Sequence, residues 1–254
     1  MRLSRTWIVG MLICFLVAGL GPVTAAIAQA PSPGGIALGG RLYDKWWKAV
    51  PGAKEPAGDH PLWALQATNK LKGSATWRCK ECHGWDYRGK DGAYGSGSHR
   101  TGFTGLMAVR AKSVEQIKGV LKGAANPKHD FSAGLDDAAL TNLAIFLKHG
   151  LVDLAPVIDA KAKKPIQADP ARGQQLSAMC AACHGPDGKK LNFGSPAKPE
   201  FIGTVAKANP WEFTHKIRTG HPGSEPPMPA GVELGWNLQD ALDILAYSAT
   251  LPVK

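Results

Sequence analysis

Apolar residues recur at helical spacing in several parts of this chain, and the clearest pattern lies near its carboxyl end. A stripe of apolar positions follows Asn237: Leu238, Ala241, Leu242, Leu245 and Ala246. A similar stripe begins at Asp136 or Asp137 and ends at Gly150: Leu140, Leu143, Ala144, Phe146 and Leu147. Spacing of three and four residues puts such side chains on one face of a helix. No run alternates for long enough to predict a sheet, so the pattern indicates an all-α fold.

Three shorter helices are predicted from the residues at which they begin. Ser113 forms a capping box with the glutamine three residues later, and the following apolar positions share one face until about Gly123. Asp169 and Asn209 are each followed directly by proline, which favours the first turn of a helix. We expect the helix after Asn209 to end at Gly220.

The connections between these helices are marked by glycine and proline. Residues 84–105 contain seven glycines and few apolar positions, which predicts a loop. Residues 29–40 are rich in alanine, proline and glycine, and we expect a flexible leader there. Residues 41–73 are turn-rich but contain large aromatic side chains, including Trp46 and Trp47. Large aromatic side chains are more often buried than exposed, so this extension is expected to cover a neighbouring site.

The first residues of the chain are typical of an export signal. Arg2 and Arg5 precede an apolar run over residues 7–20, and small residues around Ala28 form a cleavage site. Cleavage near Ala28 would leave a mature chain with no second apolar run long enough to span a bilayer. We therefore expect an exported protein without a transmembrane segment.

One motif of chemical interest occurs twice. Cys-x-x-Cys-His is formed by Cys79, Cys82 and His83, and again by Cys180, Cys183 and His184. This motif is the attachment signature of c-type haem, in which two thiols form thioethers with one porphyrin and the histidine binds the iron. A zinc site would leave both histidines without a role, and a thioredoxin-like redox pair is expected once, near a βαβ pattern. The sequence therefore predicts two covalently bound haem c groups.

Cysteine usage and charge agree with that interpretation. Of the five cysteines, Cys14 lies in the predicted signal, and haem attachment would use the other four. Haem c is attached outside the cytoplasm, so the expected location is the periplasm. The formal charge is +10, or 10 − 2 = +8 without Arg2 and Arg5, and this positive charge either attracts acidic partners over long range or only keeps the protein soluble. No aromatic-basic motif points to nucleic acid.

The sixth iron ligand decides what a haem can do, because two strong protein ligands make an electron carrier. Met228 lies in a proline-rich loop between the last two predicted helices, where its thioether could be held at the iron beside His184. Methionine normally fills apolar cores rather than proline-rich loops, which favours the ligand role.

These features resemble the class I cytochrome c family, and specifically a tandem dihaem member of it. The resemblance rests on Cys-x-x-Cys-His-Gly twice, on Met228 with its flanking prolines and on the apolar C-terminal helices, and it covers about residues 70–254. It implies two tandem class I cytochrome c domains, each a few helices wrapped round one covalently bound haem. It also implies a loop carbonyl that orients each proximal histidine, at Pro199 in the second domain and within residues 101–105 in the first.

The resemblance gives the chain a domain organisation. We expect a signal peptide at 1–28, the leader and extension at 29–73, the first domain at 74–155, a linker at 156–168 and the second domain at 169–254.

The first domain has no methionine at the position of Met228. His129 takes its place, 46 residues after His83, whereas Met228 lies 44 residues after His184. We expect His129 to be the sixth ligand of the first iron. The other candidates approach from the wrong side of the family pattern: His99, His60 and Met107.

The predicted function is electron transfer between redox proteins, from a bis-histidine haem to a histidine–methionine haem. A second hypothesis is an enzyme that oxidises or reduces a small inorganic substrate at the first haem. Dihaem thiosulfate dehydrogenases look related, but they use a distal cysteine, and no cysteine is left for that role here. A third hypothesis is an electron-transfer subunit that docks to a dehydrogenase or oxidase through Trp46 and Trp47.

Overall fold

The computed structural model describes residues 31–254, which form helices and loops and confirm the expected helical class. The helices are α1 Pro33–Ala49, α2 Cys79–His83, α3 Val114–Leu121, α4 Asp137–Ile145, α5 Pro170–Leu176, α6 Ala181–His184, α7 Ile202–Ala208, α8 Pro210–Thr219 and α9 Leu238–Ser248. The 3-10 segments are Trp63–Leu65, Gly73–Trp77, Met107–Ala111, Pro127–His129 and Ser177–Cys180, and a π-helical turn spans Phe146–Gly150. The two-residue strands β1 Ile158–Asp159 and β2 Lys164–Pro165 pair antiparallel. The predicted export signal, residues 1–28, lies outside the described residues.

Helix α1 occupies most of the stretch that the sequence predicted to be a flexible leader, and that prediction is wrong. The helix begins after Ser32, whose hydroxyl accepts the Gly35 N–H at 3.1 Å. The glycines that suggested flexibility are contact points instead. Gly39 packs on the backbone carbonyl of Asn142 in α4, and Gly40 packs on Thr219 at the end of α8. A larger side chain at either position would hold the helices apart.

The helix ends predicted from local capping signals are confirmed. Ser113 and Gln116 form the capping box of α3, Asp136 caps α4 and Asn237 caps α9. Asp169 and Asn209 cap α5 and α8. Helix α4 continues as the π-helical turn as far as Gly150, as the apolar stripe indicated. Capping works this well because side-chain acceptors satisfy N–H groups that the first turn leaves unpaired.

Other elements were not predicted. Helix α7 lacks a strong capping signal, and residues 156–168, expected to be a linker, contain the short hairpin of β1 and β2. Within residues 31–254, no helix combines the length and apolar character needed to cross a membrane.

Buried contacts join α8 to the loop that follows α2. His215 is only 1% exposed, and both of its ring nitrogens have partners. Its Nε2 donates to the Gly40 carbonyl at 3.0 Å, and its Nδ1 lies 2.8 Å from the Tyr87 hydroxyl. Because Nε2 carries the hydrogen, the Tyr87 hydroxyl is the donor to Nδ1. Arg218 of the same helix donates to the Gly150 carbonyl at 3.0 Å. Residues 31–254 form one unit.

Two adjacent residues of α1 fix the segment around α2. The Tyr43 hydroxyl donates to the Gly84 carbonyl at 2.6 Å, directly after α2. Asp44, 1% exposed, forms an ion pair with Arg78, the residue that precedes α2. Burial alone would raise the pKa of Asp44, but Arg78 and Lys216 outweigh it and hold that pKa below its ordinary value of 3.8.

The close approach of α1 to α4 predicts opposite effects for the same substitution at two glycines. Gly39→Ala should lower the free energy of unfolding by about 1–3 kcal/mol, because its methyl group would overlap the Asn142 carbonyl. Gly34→Ala should stabilise by up to about 1 kcal/mol, since the nearest atom to its new methyl group is a side-chain atom 3.6 Å away. Denaturant unfolding of both variants measures the difference. Equal effects would contradict the proposed packing.

The Asp44–Arg78 pair predicts a pH-dependent contribution to stability. Asp44→Asn removes the buried carboxylate that pairs with Arg78 and Lys216 and should cost about 3 kcal/mol at pH 7. A carboxylate with a lowered pKa stabilises the fold above its ordinary pKa and loses that effect as the pH falls through the folded value. The difference in free energy of unfolding between wild type and Asp44→Asn should therefore decrease below about pH 4.

Asp153→Asn is the matched control, because the Arg88–Asp153 pair is 33% and 40% exposed. Loss of this exposed ion pair should lower the free energy of unfolding by less than about 1 kcal/mol. Denaturant midpoints between pH 3 and pH 8 test both variants. If the difference in stability between wild type and Asp44→Asn stayed constant down to pH 3, the lowered pKa of Asp44 would be contradicted.

Candidate functional site

The first site consists of Cys79, Cys82, His83 and His129. Helix α2 presents both thiols three residues apart, and neither cysteine is in a disulfide. Burial raises the pKa of each thiol to about 12, so both are neutral thiols at physiological pH. Reactive catalytic cysteines have a lowered pKa, so these two lack the character of an enzymatic nucleophile.

His83 is oriented by a backbone carbonyl. Its Nδ1 lies 2.8 Å from the Thr104 carbonyl oxygen, which can only accept, so Nδ1 carries the hydrogen. Burial lowers the pKa of His83 to about 4, and the ring is therefore neutral at pH 7. A neutral ring with its hydrogen on Nδ1 has a free lone pair on Nε2 for a metal ion. The carbonyl lies within residues 101–105, the segment that the family resemblance indicated.

His129 ends the 3-10 segment Pro127–His129, which Asn126 caps through a hydrogen bond to the Lys128 N–H. The Nδ1 of His129 faces the Val120 carbonyl oxygen at 3.4 Å, a long contact that favours the same tautomer as in His83. Burial lowers the pKa of His129 as well. Both rings thus keep the Nε2 lone pair available.

The distance between these two rings suits one metal ion. Their centroids are 6.4 Å apart, and their planes meet at 81°. Bonds between a metal and an imidazole nitrogen are about 2.0–2.1 Å long, so two rings that share an ion through Nε2 have centroids roughly 6.3 Å apart. Two neutral imidazoles beside two thiols at Cys-x-x-Cys-His spacing fit a c-type haem with two nitrogen ligands.

The other candidate ligands have different surroundings. His60 accepts the Leu62 N–H at Nδ1, at 3.1 Å, so its hydrogen is on Nε2 and no lone pair remains there. His99 stacks on Tyr94 at 4.8 Å between centroids and is half exposed. Met107 lies beside Arg110, in a surface depression that Lys148 and His149 also line.

Aromatic side chains enclose the first site. The His129 ring is 5.1 Å from Phe131 and 6.3 Å from His60, between centroids, and His60 is 4.6 Å from Trp77. The extension that the sequence expected to cover this site does contain buried aromatic residues, each 5% exposed: Trp46, Trp47 and Trp63. Being buried, they leave no aromatic surface for the docking role suggested for Trp46 and Trp47.

Six buried polar atoms in the first half of the chain have no hydrogen-bond partner among residues 31–254: Nε1 of Trp46, Trp47 and Trp85, Nε2 of His60, the Tyr94 hydroxyl and Oε2 of Glu81. Folded proteins rarely leave such groups unpaired, so a bound group is one source of the missing partners.

The second site consists of Cys180, Cys183, His184 and Met228. The 3-10 segment Ser177–Cys180 leads into α6, so the two cysteines lie on successive turns. Met228 packs against the core, and its N–H donates to the Ser224 hydroxyl at 2.8 Å. Met228 is therefore held in place by its backbone hydrogen bond and its packing.

His184 differs from His83 in its hydrogen bonding. Its Nδ1 is buried and has no partner among residues 31–254, so the Pro199 carbonyl does not play the expected orienting role here. Large apolar side chains nearby in sequence are 43–50% exposed: Met179, Leu191 and Phe193. The Phe193 ring lies 5.8 Å from His184, between centroids. An exposed apolar surface beside His184 fits the flat face of a porphyrin.

Sequence reasoning missed Tyr43 and Asp44, although a signal was present. Leu42, Tyr43, Trp46 and Trp47 have the spacing of one buried helix face, and all four are at most 5% exposed.

Comparison with known proteins identifies one region. No curated protein and no solved structure matches the chain significantly. Residues 170–252 match the family model described as Cytochrome c. They contain Cys180, Cys183, His184 and Met228, and the match implies covalently bound haem c, electron transfer and redox protein partners. This part of the chain is therefore similar to the cytochrome c family.

Proposed function

We propose that the whole chain is a periplasmic dihaem c-type cytochrome that transfers single electrons between redox proteins. His83 and His129 bind the first iron, and His184 and Met228 bind the second. The proposal extends to the first half of the chain the cytochrome c similarity found for residues 170–252. The observation that carries it is the facing pair of neutral imidazoles at 6.4 Å between centroids.

The support for the first haem comes from hydrogen bonding as well as distance. Thr104 and Val120 each present a carbonyl to Nδ1 of one ring, which leaves Nε2 of both rings free for the iron. Neither His83 nor His129 is protonated at pH 7, because burial lowers both pKa values. Two ready ligands favour an iron that keeps both during electron transfer, which is the requirement for a carrier.

The support for the second haem is the family match together with the loop around Met228. The haem supplies one-electron redox chemistry when it is bound. A thioether ligand raises the reduction potential, whereas two imidazoles generally leave it lower. Electrons are therefore expected to pass from the site of His129 to the site of Met228, and then to a partner of higher potential.

Export is the remaining part of the proposal. The predicted signal at residues 1–28 and the requirement that haem c be attached outside the cytoplasm both favour the periplasm. The four cysteines of the two motifs are in no disulfide within residues 31–254, as attachment of haem requires.

Haem stoichiometry gives the first test of this proposal. A pyridine haemochrome assay on the exported protein should count two haems per chain. Cys79→Ala with Cys82→Ala should remove one haem, and Cys180→Ala with Cys183→Ala should remove the other. The four-alanine variant should be colourless. One haem per chain in the wild type would contradict the proposal for the first half.

Spin state tests the ligands. The oxidised wild type should show two low-spin ferric haems by electron paramagnetic resonance. His129→Ala should convert one haem to the high-spin form and allow the reduced protein to bind carbon monoxide, because it removes one axial nitrogen. Met228→Ala should abolish the near-infrared thioether-to-iron band and leave the first haem unchanged.

His149→Ala is the control for these variants, because His149 is exposed at the end of the π-helical turn. It should leave both low-spin signals unchanged. A wild-type spectrum in His129→Ala would show that another residue is the sixth ligand.

A further inference from the structure

We propose that His60 completes the first haem pocket by donating its Nε2 hydrogen to a carboxylate of the haem. The inference rests on the proposed function, because it requires a haem between His83 and His129. It gives a role to the N-terminal extension, residues 41–73, which lies outside the family resemblance.

The direction of the hydrogen bonds determines the role of His60. The Leu62 N–H can only donate, and it lies 3.1 Å from Nδ1 of His60. Nδ1 is therefore the acceptor, and the single hydrogen of the neutral ring is on Nε2. His60 thus has the opposite tautomer to His83 and His129. It is a hydrogen-bond donor, whereas they are metal ligands.

The ring is held firmly in that orientation. The His60 backbone N–H donates to the Thr76 hydroxyl at 2.8 Å, and the Thr76 hydroxyl donates to the Gly73 carbonyl at 2.7 Å. Thr76 belongs to the 3-10 segment Gly73–Trp77, which leads directly into α2. The extension and the haem-attachment helix are therefore linked through one hydroxyl, and His60 keeps its position relative to the attached haem.

The Nε2 atom of His60 has no acceptor in residues 31–254, although the residue is only 5% exposed. A buried N–H without an acceptor is costly, and native structures rarely contain one without a reason. The fold therefore buries a hydrogen-bond donor whose acceptor is not among residues 31–254.

The side chains that pack against the His60 ring do not supply the missing acceptor. The ring packs against Trp77 and Phe131, at 4.6 and 5.5 Å between centroids, and against His129 at 6.3 Å. Trp77 uses its Nε1–H on the Gly58 carbonyl, and Phe131 has no polar side-chain atom. Nε2 of His129 is assigned to the iron, and its Nδ1 faces Val120. The side chains that pack against His60 therefore offer no acceptor.

A haem in this pocket brings two kinds of acceptor. Its two propionate groups carry carboxylate oxygens, and an exogenous ligand on the iron would be the other kind. With His129 on the iron, no position is left for an exogenous ligand. A carboxylate is also the stronger partner, because a hydrogen bond to a charged acceptor exceeds one to a neutral group. The propionate is therefore the occupant that the arrangement favours.

The direct test uses nuclear magnetic resonance on the fully reduced wild-type protein, in which both low-spin haems are diamagnetic. A slowly exchanging His60 Nε2 proton should show cross-relaxation with the propionate protons of one haem. A His60 Nε2 proton close to no propionate proton would overturn the inference. This measurement requires no variant and so does not depend on the folding of one.

Variants provide the second test through resonance Raman spectra and redox titration. His60→Phe should shift the propionate-bending band of one haem and lower the reduction potential of that haem, because an unpaired carboxylate favours ferric iron. His60→Gln, which keeps an N–H at a similar position, should restore most of both shifts. His149→Phe, a change at an exposed histidine, should alter neither.

These outcomes separate the inference from the proposed function. An unchanged bending band and potential in His60→Phe, with two low-spin haems, would overturn the role of His60 alone. A high-spin haem in His60→Phe would identify His60 as an iron ligand, and would overturn both this inference and the assignment of His129.

Discussion

A neutral imidazole has one hydrogen for two nitrogens, and this constraint decides what each histidine of the first site can do. A carbonyl at Nδ1 leaves Nε2 of His83 free to bind a metal ion, and His129 faces a carbonyl in the same way. A backbone N–H at Nδ1 gives His60 the opposite tautomer. The roles of the three rings thus follow from the backbone groups beside them, not from the residue type.

Those backbone groups are held by contacts from outside the haem motif. Thr104 is bridged to Gly89 in the loop after α2, and α1 fixes the two ends of α2 through Tyr43 and Asp44. Helix α1 also packs on α4 and α8. The N-terminal extension is therefore part of the scaffold that sets the tautomers, and it is more than a cover over the aromatic core.

Local signals explain which parts of the fold could be predicted. The starts of α3, α5, α8 and α9 were predictable because a capping side chain acts within three residues of its own position. Helix α1 was not, because its glycines suggest flexibility until Asn142 and Thr219, more than 100 residues away, are brought against them. The amphipathic spacing of Leu42 to Trp47 was the signal that outweighed those glycines.

Local signals and contacts between distant parts of the structure also differ in how much of the candidate site they reveal. The attachment cysteines and the proximal histidines follow from a motif of five residues, and the candidacy of His129 followed from its spacing alone. The donor role of His60 could not be predicted, because it depends on the turn that places the Leu62 N–H at Nδ1. No sequence pattern specifies the tautomer of a histidine.

The proposed ligand sets and the surroundings act in opposite directions on the two potentials. Two imidazoles lower the potential of the first haem relative to a histidine–methionine haem. Yet the first site is enclosed by buried aromatic residues, and a buried, less polar environment disfavours the more highly charged ferric state. Burial of the first site therefore reduces the potential difference that the proposed ligands create.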